Sequence, residues 1–82
     1  SIPELTDLWH GQRGLCAYSG RVLVPGVNAH LDHRVPTALG GGNEIANLQW
    51  VDADVNHAKR ALPEQSFLQL VAEVQRHSGG SL

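Results

Sequence analysis

An 82-residue chain with a net charge of −2 amounts to one small domain, of a size that buries only about 60% of its unfolded surface and has a marginal core. Cys16 is its only cysteine, so neither an internal disulfide nor a Cys-based zinc cage can form, and a lone thiol fits a reducing, cytoplasmic setting. The longest apolar stretches, Val22 to Pro25 and Phe67 to Val71, the latter broken by Gln69, are too short for a signal peptide or a membrane span, so no membrane partner is expected.

In chain order, Pro3 to Gln12 places Leu5, Leu8 and Trp9 at helical spacing behind acidic Glu4 and Asp7, which predicts a short amphipathic helix ended by Gly11 or Gly14. Leu15 to Tyr18 and Arg21 to Val24 are short β-prone runs around Ser19-Gly20 and predict a small hairpin. After Pro25-Gly26, Val27 to Leu31 predicts another strand, which would set His30 and Asp32 on one face and Leu31 and His33 on the other. Gly40 to Asn43 suits neither helix nor strand and reads as a turned loop. Asp52 to Ala61 predicts a helix that carries Asn56 and Lys59 at an i, i+3 spacing. A last helix, opened by Pro63 and carrying Phe67, Leu70, Val71 and Val74 inward, is expected to pack on the body until Ser78-Gly79-Gly80 stops it. A start at Ser1 rather than Met is the pattern of a piece of a longer protein or of a cleaved tag.

The segment Leu31 to Lys59 concentrates the chemistry. Asp32 is a hard oxygen ligand for Mg²⁺ or a similar ion, and Asn56 offers a second. His33 beside Asp32 is a general base, a role worth roughly 10² to 10⁴ in rate. A cation held by so few protein ligands keeps waters and open positions, which is what a scissile phosphodiester needs. Arg34 and Lys59 are the basic residues nearest the segment and the expected phosphate contacts.

In order and spacing, Asp32-His33-x-x-Pro36, Gly40-Gly41, Asn47-Leu48-Gln49 and Asn56-x-x-Lys59 resemble the HNH endonuclease family. The resemblance covers about residues 14 to 60 of a single 1–82 domain. It implies an α+β fold built on the ββα-metal core, two strands followed by a metal-bearing helix, with a packing helix at each end. It further implies that His33 activates water, that Asp32 and Asn56 hold one divalent metal, and that Asn47 fixes the loop orienting His33. The expected cofactor is Mg²⁺, with Mn²⁺, Ni²⁺ or Zn²⁺ as alternatives, and the expected products carry 5′-phosphate and 3′-hydroxyl ends.

Many relatives add a structural zinc held by two Cys-x-x-Cys pairs. Here Cys16 to Ser19 keeps one position of the first pair, and Asp52 and Val55 replace the second, so no structural Cys₄ zinc is expected. The partner implied is DNA, yet non-specific DNA affinity comes mainly from Lys and Arg, and the net charge is negative. A neighbouring DNA-binding domain or a second copy would then supply affinity.

Several alternatives stay open. His57 competes with Asn56 as metal ligand, and His30 either lines the metal site, contacts DNA or is a hydrogen-bonded interior histidine. For the whole chain, the alternatives are a catalytically weak DNA-binding module and a metal-stabilised interaction domain with no nucleic-acid role.

Overall fold

A computed structural model describes residues 1–79. The chain forms α1 (Ile2–Gly11), β1 (Ala29–His33), β2 (Leu48–Asp52), α2 (Ala53–Lys59) and α3 (Glu64–Gly79), with 3-10 turns at Thr37–Leu39 and Ile45–Asn47. Among the described residues the three α-helices and a two-stranded antiparallel sheet make an α+β fold. No helix among them is long and apolar enough to cross a membrane.

α1 opens on a capping box. The Ser1 hydroxyl accepts the Glu4 N–H, and the Glu4 carboxylate takes the Ser1 amino group, so donors that a helix start leaves orphaned are satisfied. The inward residue Trp9 meets Trp50 of β2 edge-on, with ring centroids 5.5 Å apart. Gln12 then locks the helix end to the free edge of β2. Its Oε1 accepts the Trp50 N–H at 2.9 Å, and its Nε2 donates to the Trp50 carbonyl at 2.9 Å.

The hairpin predicted over Leu15–Tyr18 and Arg21–Val24 reduces to a single bridge between Leu15 and Val22. The bridge is held by the Cys16 N–H on the Arg21 carbonyl and the Leu23 N–H on the Gly14 carbonyl, and the opposite edge of the second run is held by the side chain of Asn28. Its Oδ1 accepts the Val24 N–H at 2.7 Å and its Nδ2 donates to the Val22 carbonyl at 3.1 Å. The strand predicted from Val27 starts two residues later, because the Val27 and Asn28 N–H groups both turn back to the Val24 carbonyl.

β1 and β2 pair with Ala29 opposite Asp52, Leu31 opposite Trp50 and His33 opposite Leu48. Below them Cys16, Leu23 and Val51 form the buried cluster, joined by Trp9, Tyr18, Trp50 and Val55. The positions at which relatives of the resembled family would carry zinc ligands, Cys16, Asp52 and Val55, thus lie in or beside this core. Asp52 caps α2, accepting the Asp54 N–H at 2.9 Å, and also holds Asn28 Nδ2 at 2.9 Å and Arg21 at 3.1 Å. One carboxylate therefore ties the long loop before β1 to the β2–α2 junction.

α3 departs from its expected packing role. Phe67 is buried and meets Tyr18 edge-on at 5.3 Å, and Glu64 binds Tyr18 and Arg34. Beyond that first turn Leu68, Leu70, Val71 and Val74 are exposed. A 16-residue helix is about 24 Å long, and among the described residues no other element runs closely alongside it. Its predicted stop at Ser78-Gly79-Gly80 falls partly on Gly80, outside the described residues.

The Asn28 amide bond, followed by the Asp54 N–H and the Arg21 guanidinium, holds the Asp52 carboxyl below its ordinary range despite an opposing contribution from burial. A depressed carboxyl stabilises the fold above about pH 4, the ordinary Asp value, and loses that contribution as pH falls through its folded-state value. Urea unfolding from neutral pH down to about pH 3 should show an acid limb that is shallower in Asp52→Asn than in wild type; identical limbs would remove Asp52 as a source of acid lability.

Candidate functional site

Asp32 lies opposite Gln49 and His30 opposite Val51 in the sheet. The chain turns from β2 directly into α2, which runs back over β1. On β1, His30 and Asp32 project from one face about 6.6 Å apart, while Asn56 and Lys59 on α2 lie about 4.5 Å apart along the helix axis. The two pairs meet like rungs: Asn56 Nδ2 is 3.1 Å from His30 Nδ1, and Lys59 Nζ donates to Asp32 Oδ1 at 3.1 Å.

Asp32 is interior, with its side chain 5% exposed, and Lys59 is 1% exposed. Gln49 Nε2 donates to the second carboxylate oxygen at 3.0 Å, and Lys59 also donates to the His33 carbonyl at 2.9 Å. Both Asp32 oxygens therefore have protein partners, although each retains further acceptor capacity. The expectation that Lys59 meets phosphate is corrected: its ammonium is the buried counter-ion of Asp32. Along β1 only Asp32 is buried, while His30, Leu31 and His33 are all half-buried, so the predicted two faces do not appear as alternating burial.

His33 is held by a residue that sequence reasoning missed. Its Nε2 lies 2.7 Å from Asn43 Oδ1. A carbonyl oxygen can only accept, so Nε2 is the donor in this bond and, in the neutral ring, Nδ1 is the acceptor. The available signal was an Asn at the end of the glycine run, ten positions beyond the histidine; nothing local distinguishes it from a turn residue.

Asn47 is buried and bonds across the loop between the strands without touching the His33 side chain. Its Oδ1 accepts the Val35 N–H at 2.9 Å, its Nδ2 donates to the Val35 and Gly42 carbonyls, and its own carbonyl accepts the Arg34 N–H. The loop between the strands closes tightly around this amide. Gly41 is required there, since a Cβ would run into the Val35 carbonyl and press the Asn47 amide at 3.0 Å.

Arg34 also departs from its expected role, because its guanidinium pairs with Glu64 at 2.7 Å and anchors the start of α3. The cation facing the site is Arg60. It has no carboxylate partner among the described residues and follows α2 with φ +51°, a conformation that costs a non-glycine residue on the order of 1–3 kcal/mol. The register that turns Lys59 inward places Arg60 outward.

Asp32, His33, Asn56 and Arg60 line one cavity of about 300 Å³, with Leu31 and Pro36 in its wall. His57 does not line it; its ring packs edge-on to His30 at 5.9 Å. Among the described residues no group of three or more His, Cys, Asp or Glu forms a metal cage. A separate apolar hollow of about 470 Å³ lies between α1, Pro25 and Trp50 and brings no acid, base or cation together. No protein-family model matches the chain, and no curated protein matches it.

Removing one partner of a buried ion pair leaves the other uncompensated, which costs about 3–5 kcal/mol, whereas removing both charges is far milder. Lys59→Met should therefore lower urea-unfolding stability by that amount, and adding Asp32→Asn should restore part of it. Equal stability of wild type and Lys59→Met would show that the pair does not hold the site.

Proposed function

We propose that this chain is a divalent-metal-dependent endonuclease of the HNH type that hydrolyses DNA phosphodiester bonds. The observation that carries the reading is the convergence of Asp32, His33 and Asn56 on one cavity, with the base already held by Asn43. The succession β1, β2, α2 has the strand–strand–helix order of a ββα-metal core, and its site residues come from that unit.

The donor set fits a hard cation. Asn56 Oδ1 has no hydrogen-bond partner among the described residues and is not sealed in the interior, and Asp32, one residue before His33, lines the same cavity. One carboxylate and one amide oxygen match the sparse protein ligation of Mg²⁺ or Mn²⁺, which keep several waters. When bound, such an ion supplies Lewis-acid stabilisation to the phosphate and the departing oxygen.

The protein's own groups perform the remaining work. His33 Nδ1 takes the proton of the attacking water as its oxygen bonds to phosphorus, and Asn43 keeps Nε2 protonated and the ring turned. Arg60 at the cavity wall binds a non-bridging oxygen, the role earlier expected of Lys59 and Arg34. Breakage of the P–O3′ bond then yields a 5′-phosphate and a 3′-hydroxyl. With a net charge of −2, affinity for DNA comes largely from a neighbouring domain or a second copy.

The buried Lys59–Asp32 pair favours one alternative, a DNA-binding module of this fold that holds metal too weakly to cut, because Lys59 already neutralises the carboxylate. Supercoiled plasmid incubated with Mg²⁺ or Mn²⁺ separates the two. Nicking that EDTA abolishes and that His33→Ala slows by about 10²- to 10⁴-fold supports the nuclease. Cleavage unchanged in His33→Ala would sink the assigned base, and a gel shift without cleavage would select the binding module. Arg60→Ala should chiefly weaken substrate binding, seen as a raised KM with kcat less affected.

A further inference from the structure

Asn56 is an amide, and an amide presents an acceptor on one arm and a donor on the other. Only the oxygen can hold a metal. Whichever arm is fixed therefore decides what the other offers to the cavity, and nothing in α2 itself makes that choice. The choice is made from β1, where His30 Nδ1 stands 3.1 Å from Asn56 Nδ2.

A neutral imidazole with its hydrogen on Nε2 has an acceptor at Nδ1. That acceptor takes the Asn56 NH₂ group and leaves Oδ1 as the arm without a partner among the described residues. The His57 ring stacks edge-on against His30, centroids 5.9 Å apart with planes at 73°, and limits rotation of the imidazole. His30 shares its strand face with Asp32, so one short stretch of β1 sets both oxygen donors. Asp32 contributes one directly and His30 fixes the other through Asn56.

We propose that His30 is a positioning residue for the metal site, holding the Asn56 amide with its oxygen toward the cavity. The inference rests on the metal-dependent reading above. It belongs to the wider pattern in which groups hydrogen-bonded to metal ligands orient them, and loss of such a partner typically lowers metal affinity about 10- to 100-fold.

The test is Mn²⁺ binding to the whole chain without DNA, read from the electron paramagnetic resonance signal of free Mn²⁺, with thermal unfolding as a check on folding. His30→Leu should weaken Mn²⁺ binding by about 10- to 100-fold, and His30→Asn, which keeps an oxygen acceptor near the Nδ1 position, should recover most of it. In an Asn56→Asp background both arms of residue 56 are oxygens, so adding His30→Leu should change Mn²⁺ affinity by less than about threefold. Equal Mn²⁺ binding by wild type and His30→Leu overturns the proposal. So does an undiminished effect of His30→Leu in the Asn56→Asp background, which would assign His30 to packing alone. A folded wild type that binds no Mn²⁺ overturns the metal reading itself, a different result from a wild type that binds and a His30 variant that binds equally well.

Discussion

A buried ammonium facing a buried carboxylate organises this molecule. Lys59 reaches back from the last turn of α2 to Asp32 and the His33 carbonyl, while Gln49 closes the carboxylate from the neighbouring strand. Three elements thus meet at one acidic side chain. Burying either charge alone is strongly unfavourable, so the pair admits only the rotation of α2 that brings Lys59 inward. That rotation sets Asn56 beside His30 and Arg60 at the cavity, so the placement of each candidate site residue of the helix follows from it.

A domain this small has little apolar area with which to hold such a helix, and its lone cysteine cannot build a zinc clasp. Polar cross-links between distant segments serve instead. Asp52 gathers Asn28, Arg21 and the start of α2, Gln12 sews α1 to the edge of β2, and Asn47 closes the loop between the strands. The Cys16 thiol, in the cluster with Leu23 and Val51, acts as an apolar filler. Such bonds are individually modest but expensive to leave half-made once buried, which gives the polar framework its geometric precision. α3 lies largely outside it, joined through Phe67, Glu64 and their partners.

The helices were legible because their signals are local. Apolar spacing and termini placed α1, α2 and α3 to within about two residues, the scatter normal for helix ends. The strands were less so. Asn28 resembles any turn residue in sequence, yet its side chain binds the Val22 and Val24 backbone across the loop, and in β2 the polar Gln49 and Asp52 are buried as fully as Leu48 and Val51. The apolar stripe of α3 predicted packing, but periodicity says only that a face is apolar, not that another element reaches it.

For the site, the sequence by itself determined the inventory: a carboxylate beside a histidine on a strand, a glycine-closed loop with a structural asparagine, and an asparagine and a lysine one turn apart on a short helix. Local chemistry suffices for that, because spacing determines which residues share a face. Only the tertiary structure decided the partners. Lys59 is a counter-ion and not a surface cation, Arg34 is spent on Glu64, Asn43 holds His33, and Asn56 rather than His57 reaches the cavity with His30 at its amide. Each of these depends on two segments ten or more residues apart meeting at a particular register and depth, and burial, which turns a surface lysine into an interior one, leaves no mark on the spacing of residues along the chain.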